Sequence, residues 1–200
     1  MKQLDILLNH AEKDIYMYID LLKKWQKAVN LVSDSTIKDV WNRHILDSAQ
    51  LYSLIPENKS CLVDMGSGAG FPGLVLAILN QVNMGPLKRI VLIESDQKKC
   101  LFLREVVRNL SLPVEILNRR IESVLDIQAD IITARALAPL EQLLLLGQKM
   151  VTPQTTCLFL KGKTVDLEIR DNSISCSVEK IKSITNPNSC ILKITEVHYD

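Results

Sequence analysis

Four glycines within eight residues form a segment where a ligand could lie against the backbone itself. Residues 64–73 read D-M-G-S-G-A-G-F-P-G, after the apolar run 61–63 and before a longer apolar stretch. Glycine has no Cβ and tolerates positive φ, so a bound molecule can approach the chain closely. A helix after the loop would add free N–H groups and the positive end of its dipole. The segment therefore predicts a loop that binds a nucleotide-type cofactor.

The acid before this loop bears on which cofactor it holds. Gly68, Gly70 and Gly73 match the dinucleotide pattern G-x-G-x-x-G, but the Asp64 carboxylate would repel a pyrophosphate and would suit a ligand with an amine. The spacing acid-x-G-x-G-x-G resembles motif I of the class I S-adenosylmethionine methyltransferases. That resemblance implies a cofactor-binding set in which Gly73 serves only helix–sheet packing. The set comprises Asp64, Gly66, Ser67, Gly68, Gly70 and Phe71.

A second acid supports the same cofactor. Residues 89–94 read R-I-V-L-I-E, so Glu94 ends the next apolar run after the loop. In a βαβ unit, the acid after the second strand contacts ribose hydroxyls. S-adenosylmethionine has these hydroxyls and no phosphate, so it fits both acids. The residues leave another interpretation open, in which Asp64 caps the helix and Glu94 is a surface acid.

The elements that must position these residues form two parts. Residues 1 to about 55 have helical apolar spacing and no strand pattern. From residue 61, short apolar runs alternate with helical stretches, as in a parallel sheet covered by helices. The predicted strands are 61–63, 90–93, 114–117, 130–133 and 157–160. The predicted helices are 72–79, 97–110, a short one at 121–125, 139–151 and 164–170.

The end of the chain has a hairpin pattern. Residues 175–184 and 190–197 flank Asn186-Pro187-Asn188, which is typical of a turn between antiparallel strands. We therefore predict an α/β fold with five parallel strands and a C-terminal antiparallel hairpin, the seven-stranded Rossmann-like sheet of a class I methyltransferase. A helical cap over residues 1–56 would precede one compact methyltransferase unit over 57–200.

Composition favours a globular protein of the cytoplasm. The 200 residues are 47% hydrophobic and 24% charged, as in ordinary globular domains. No apolar run is long enough to predict a membrane span, and the early acid Asp5 argues against a signal peptide. The five cysteines are widely spaced without a C-x-x-C pair, so we expect reduced thiols, a cytoplasmic location and no metal site. With a net charge of +1, a nucleic-acid binder must concentrate its cations on one face.

Two clusters in the helical part carry a more specific resemblance. Residues 25–31 read W-Q-K-A-V-N-L and residues 43–48 read R-H-I-L-D-S. Alone, Arg43 and Asp47 would form an i,i+4 surface pair, and His44 would be a structural histidine. Followed by the glycine loop, these clusters resemble the RsmG (GidB) family, bacterial methyltransferases of small-subunit ribosomal RNA. The resemblance covers about residues 25–162, through E-S-x-x-K-K at 94–99, R-I-E at 120–122, A-R-A at 134–136 and K-G at 161–162.

The resemblance implies an activity, a cofactor and a partner. The activity is methylation of guanine N7 in the 530 loop of 16S rRNA, with S-adenosylmethionine as methyl donor. Because guanine N7 carries a lone pair and no proton, in-line transfer needs positioning and no general base. The partner would be 16S rRNA, in the small ribosomal subunit or its precursor. We also expect a monomer that does not bind membranes.

Site residues follow from the family motifs and from the predicted strand ends. Glu94 would hold the ribose, and the segment Arg120-Ile121-Glu122 would border the adenine. Cations at strand ends line the ligand crevice of an open α/β sheet. The substrate-positioning set is therefore Arg135, Lys161, Arg43 and His44, with Arg135 also in the cofactor-binding set. We expect these side chains to contact RNA phosphates or guanine O6.

Two other functions stay open on the sequence. An NAD-dependent oxidoreductase would use Gly68, Gly70, Gly73 and Glu94, although no Tyr-x-x-x-Lys proton donor is present. A non-catalytic RNA-binding module on a degenerate methyltransferase fold is disfavoured because the glycines and both acids are intact. Titration with NADH and S-adenosylhomocysteine separates these alternatives.

Overall fold

The computed structural model describes residues 2–199 and begins with a helical segment. Two helices, α1 (Lys2–His10) and α2 (Glu12–Gln26), precede α3 (Asp34–Ile37), a π-helical turn (Trp41–Leu46), α4 (Asp47–Ala49) and a 3-10 turn (Tyr52–Leu54). The buried face of α2 carries Ile15, Tyr18, Ile19 and Leu22. This face joins the core beneath the sheet, so the segment covers the sheet and has no separate core.

A seven-stranded sheet forms the rest of the framework. Its strands are β1 (Cys61–Met65), β2 (Arg89–Ile93), β3 (Val114–Leu117), β4 (Ile131–Arg135), β5 (Thr156–Lys161), β6 (Ser175–Lys182) and β7 (Cys190–His198). Their order is β3-β2-β1-β4-β5-β7-β6. Strands β1 to β5 are parallel, and β7 lies antiparallel between β5 and β6. The predicted parallel sheet with a C-terminal antiparallel hairpin is confirmed.

Helices cover both faces of this sheet. They are α5 (Gly73–Val82), α6 (Gln97–Asn109), α7 (Leu140–Gly147) and α8 (Val165–Arg170), with a 3-10 turn at Ile121–Ser123. Adjacent residues of β1 point to opposite faces, so Leu62 belongs to one apolar core and Val63 to the other. Among residues 2–199, no helix has the length and apolar character that a membrane crossing requires.

Two strand boundaries differ from the prediction in a way that matters for function. We predicted that β1 ends at residue 63 and β4 at residue 133, but the ladder between them continues to Met65 and Ala134. Asp64 and Arg135 therefore lie within strands. Because the Asp64 carboxylate bonds to Thr133 and Gly73, the strand accommodates a charged residue that the hydrophobic pattern marks as an end.

Candidate functional site

A cleft of about 750 Å³ opens at the carboxyl ends of the parallel strands. This volume is within the usual range for ligand sites. The walls come from the glycine loop, the ends of β2 and β4, the segment 119–122, the helical cap and the loop between β6 and β7. Both ends of the chain therefore contribute to one site.

The glycine loop provides bare backbone on one wall. Gly66 and Gly68 line the cleft and have φ values of 63° and 57°, which L side chains rarely adopt. A Cβ on Gly68 would meet no atom nearer than 3.9 Å, so the space beside it is open to a ligand. Gly70 has a different role, because a Cβ there would lie 2.7 Å from Leu74 Cγ. The structure places Gly70 against α5 and not on the cleft wall.

Asp64 lies behind the loop and does not line the cleft. Its side chain is fully buried, and Oδ1 accepts a hydrogen bond from Thr133 Oγ1 at 2.7 Å while Oδ2 accepts one from Gly73 N at 3.3 Å. A Cβ on Gly73 would lie 2.8 Å from Oδ2, so glycine is needed for this contact. The geometry matches the helix-capping alternative. Contact between Asp64 and the cofactor stays a prediction.

Burial also changes the acidity of this carboxyl. Desolvation raises the pKa of Asp64 from 3.8 to about 6, although the hydrogen bonds from Thr133 and Gly73 oppose the shift. The group is therefore mostly ionised at neutral pH, at a cost to the folded state.

Glu94 connects the second strand to the loop. Its Oε2 accepts a hydrogen bond from Gly68 N at 2.8 Å, and its Oε1 accepts one from Asp96 N at 2.7 Å. Asp96 in turn caps α6 by accepting from Lys98 N and Lys99 N. Glu94 also lines the cleft, so one carboxylate fixes the loop and presents acceptors beside it, as a ribose site requires.

The segment 119–122 forms the adjoining wall. The predicted residues Arg120, Ile121 and Glu122 all line the cleft next to Glu94. Ile121 supplies apolar surface, and Arg119 lies on the same wall although the sequence analysis did not single it out. Its neighbour Arg120 belongs to a family motif, whereas Arg119 matched none.

Phe71 organises the opposite wall. The ring of His44 stacks on it with centroids 4.8 Å apart and an interplanar angle of 21°. The guanidinium carbon of Arg135 lies 4.9 Å from the Phe71 centroid, and Arg135 Nη1 donates to Arg43 O at 3.1 Å. The structure thus brings Arg43, His44 and Arg135, three members of the predicted substrate-positioning set, together around Phe71, which the sequence assigned to the cofactor. Their contact with substrate stays a prediction.

His44 is held in an unusual environment. The side chain is 6% exposed, and in the described part of the chain neither ring nitrogen has a hydrogen-bond partner. Desolvation lowers the pKa of His44 to about 3, and the positive charges of Arg135 and Arg43 add to the shift. The ring is therefore uncharged at neutral pH.

The predicted pairing of Arg43 with Asp47 is wrong. Asp47 Oδ2 instead lies 3.8 Å from Arg135 Nη1, and Asp47 Oδ1 accepts from Thr185 Oγ1 at 2.8 Å and from Gln50 Nε2 at 3.0 Å. Residues 41–46 form a π-helical turn, whose wider spacing removes the α-helical i,i+4 alignment. Asp47 therefore joins the cap to β4 and to the C-terminal hairpin.

Lys161 reaches the cleft wall with its charge already engaged. Its Nζ donates to Ala138 O at 2.8 Å and pairs with the Glu168 carboxylate. By contrast, four cations line the cleft without an ion pair to any residue in 2–199. They are Arg43, Lys99, Arg119 and Arg120.

The loop between β6 and β7 is a part of the site that sequence reasoning missed. Thr185, Asn186 and Ser189 line the cleft, and Gln50 holds the loop by accepting from Ile184 N at 3.1 Å. Asn186-Pro187-Asn188 predicted a turn, but no local signal placed that turn beside the cap. Within residues 2–199, no cluster of three His, Cys, Asp or Glu side chains could hold a metal ion.

Residues 11–193 match the family model described as "GidB: rRNA small subunit methyltransferase G". The chain is 44% identical to ribosomal RNA small subunit methyltransferase G of Paramagnetospirillum magneticum, over 90% of this chain and 86% of that protein. It is 46% identical to the protein of the same name from Rhodospirillum centenum, over 90% of this chain and 82% of that protein.

Solved structures share the fold at low identity. A SAM-dependent methyltransferase from Aquifex aeolicus has a TM-score of 0.58 and 16% identity, covering 82% of this chain and 97% of that chain. A ribosomal protein L11 methylase from Lactobacillus delbrueckii subsp. bulgaricus has a TM-score of 0.58 and 14% identity, with coverages of 76% and 77%. These similarities confirm the predicted class I methyltransferase fold.

Proposed function

This chain belongs to the rRNA small subunit methyltransferase G (GidB) family, and on that premise we propose that it methylates guanine N7 in the 530 loop of 16S rRNA. Family membership supports S-adenosylmethionine-dependent methylation of small-subunit rRNA. The observation that assigns the activity to this cleft is that it combines a cofactor-type glycine loop with positively charged side chains. A glycine loop bonded to Glu94 forms one side, and four cations that pair with no carboxylate of residues 2–199 line the same cleft.

The residues present fit S-adenosylmethionine. Gly68 leaves open space beside bare backbone, Glu94 offers carboxylate oxygens for ribose hydroxyls, and Ile121 offers apolar surface for adenine. The cofactor supplies an electrophilic methyl group on a positively charged sulfur. We place its methionine part along Gly66, Ser67 and Gly68, and we assign Asp64 and Gly70 to the support of that loop.

The chemistry of the cleft agrees with a reaction that needs no proton transfer. Guanine N7 has no proton to remove, so alignment of the reacting atoms supplies most of the acceleration. His44, with a pKa lowered to about 3, would be a weak general base. Asp64 lies behind the loop, beyond contact with a substrate in the cleft.

Charge at the opening supports an RNA substrate. Arg43, Lys99, Arg119 and Arg120 are the cations we assign to RNA phosphates, because no carboxylate in residues 2–199 forms an ion pair with them. Arg135 and Lys161 pair with Asp47 and Glu168, so we keep them as positioning residues for the target nucleotide and its O6. N7 must remain free of donors for transfer to occur.

We further propose how the protein works in the cell. The chain acts as a monomer in the cytoplasm, on the small ribosomal subunit or its precursor. Residues 1–56 form a cap that contacts RNA, and residues 57–200 form the methyltransferase unit. The shared core of cap and sheet supports their acting as one body.

Methyl transfer from labelled S-adenosylmethionine tests this function. The substrates are 30S subunits and protein-free 16S rRNA from cells that lack the enzyme, and the modified base is mapped. A single N7-methylguanine in the 530 loop is the expected product. Methylation of another nucleotide would contradict the assigned position in the 530 loop. No methyl transfer to either RNA would contradict the assignment of small-subunit rRNA as the substrate. Glu94→Ala serves as the cofactor-site control, and parallel titration with NADH and S-adenosylhomocysteine tests the oxidoreductase alternative.

A further inference from the structure

His44 is a buried polar side chain that the protein itself leaves unsatisfied. It is 6% exposed, and neither Nδ1 nor Nε2 has a hydrogen-bond partner among residues 2–199. Buried polar groups in folded proteins are nearly always paired, so each exception calls for a ligand or another explanation. His44 also lines the cleft, and because both ring nitrogens are buried, a ligand in the cleft can bond to one of them after a local shift of the ring.

The surroundings of His44 select the kind of ligand. Phe71 stacks on the ring and fixes its plane. The charged groups around it are Arg135 on β4, with Arg43 and Asp39 on the cap. The two arginines and burial lower the pKa of His44 to about 3, which leaves one ring nitrogen as a donor and the other as an acceptor. A phosphate would favour a cation, whereas the polar edge of a base offers both donors and acceptors.

We propose that His44 recognises the base that receives the methyl group, by a hydrogen bond from one nitrogen of its uncharged ring to the polar edge of guanine. The role rests on the proposed function, and it selects the base over the phosphate among the two contacts that the sequence predicts for this residue. Phe71 holds the imidazole in one orientation, and Arg135 lies on the same aromatic ring. The positively charged side chains thus bind RNA around a neutral base-reading group.

Ser48 provides a matched control. It lies one turn further along the same segment and is fully buried, and its Oγ also has no hydrogen-bond partner within the described residues. Unlike His44, it does not line the cleft. Removing its hydroxyl therefore reports what the loss of an unsatisfied polar group does in this helix without touching the ligand site.

The experiment compares His44→Phe, His44→Asn and Ser48→Ala with the wild-type protein. Phenylalanine keeps a ring on Phe71 and removes the hydrogen bond to the base, so we expect kcat/KM for 30S subunits to fall roughly ten- to hundredfold. Affinity for S-adenosylhomocysteine and the melting temperature should stay at wild-type values. Asparagine, with one donor and one acceptor group, should restore part of the activity. Ser48→Ala should methylate at the wild-type rate.

The pH dependence separates a neutral base-reading residue from a cation. The ratio of wild-type to His44→Phe activity should be constant between about pH 5.5 and about pH 8. A ratio that falls with rising pH would assign His44 to phosphate and overturn the proposal. So would wild-type activity of His44→Phe, or a parallel loss of S-adenosylhomocysteine affinity. If the wild-type protein does not methylate 30S subunits at N7 of guanine, the proposed function fails instead.

Discussion

Replacing Asp64 by asparagine should make the protein more stable at neutral pH. The carboxylate is fully buried within β1, and its pKa is raised from 3.8 to about 6. Asparagine removes the charge and keeps the hydrogen bonds. Its Oδ1 can accept from Gly73 N, and its Nδ2 can donate to Thr133 Oγ1, because a hydroxyl rotates to become an acceptor.

The sign and size follow from the two protonation states. The pKa of Asp64 is higher in the folded protein than in the unfolded chain, so this carboxyl does not lower the free energy of unfolding below pH 3.8. Between pH 3.8 and about pH 6 the free energy of unfolding decreases, and at higher pH the decrease is complete. At about 1.36 kcal/mol for each pKa unit, the ionised carboxylate costs roughly 3 kcal/mol. Asp64→Asn avoids that cost, so its advantage over the wild-type protein should grow across this interval and then level off.

Urea unfolding of both proteins at several pH values between about 4 and about 8 measures this advantage. Asp130→Asn is the control with the opposite sign. Its Oδ2 accepts hydrogen bonds at 2.9 Å from both Ser60 N and Cys61 N, which lower its pKa. That variant should be less stable by a constant amount from about pH 8 to about pH 4, because its pKa lies below 3.8, and its deficit should shrink only at lower pH. A pH-independent difference for Asp64→Asn, or a variant less stable throughout, would refute the reasoning.

Three further substitutions test the walls of the cleft. Glu94→Ala frees the glycine loop and removes the proposed ribose acceptor, so calorimetry should show S-adenosylhomocysteine affinity reduced about tenfold or more; unchanged affinity would contradict both roles. Thr185→Val breaks the bond to Asp47, so KM for 30S subunits should rise while cofactor affinity stays constant. Loss of cofactor affinity would show that the loop between β6 and β7 supports the cofactor site and not the substrate site. Arg119→Ala should weaken RNA binding and reduce the slope of log K against log salt by about 1; an unchanged slope would exclude a phosphate contact.

The fold could be predicted from sequence because its signals are local. The apolar runs that became β1 to β5 and the helical stretches between them reflect periodicity within a few residues. Gly66 and Gly68 likewise indicated positive φ, which depends on the glycine residue itself and not on distant contacts. The stacking of His44 on Phe71 could not be predicted from the sequence. The family motifs did, however, place Arg43, His44 and Arg135 in one predicted set.

The parts that could not be predicted depend on contacts between distant residues. Nothing local to Asp64 shows that Thr133 and Gly73 occupy its oxygens. Asp47 looks like a partner for Arg43 until the π-helical turn and the position of β4 are known. The neutralisation of Lys161 by Glu168 is equally a product of how α8 packs.

The order in which the chain is synthesised gives the hairpin a further significance. Asp47 and Gln50 bond to Thr185 and Ile184, which lie 138 and 134 positions later, and β7 must insert between β5 and β6. A nascent chain translated only as far as β5 has its glycine loop but lacks the wall that these residues complete. The complete wall of the cleft therefore forms only after nearly the whole chain has been synthesised, although the residues that begin and end that wall are far apart in sequence.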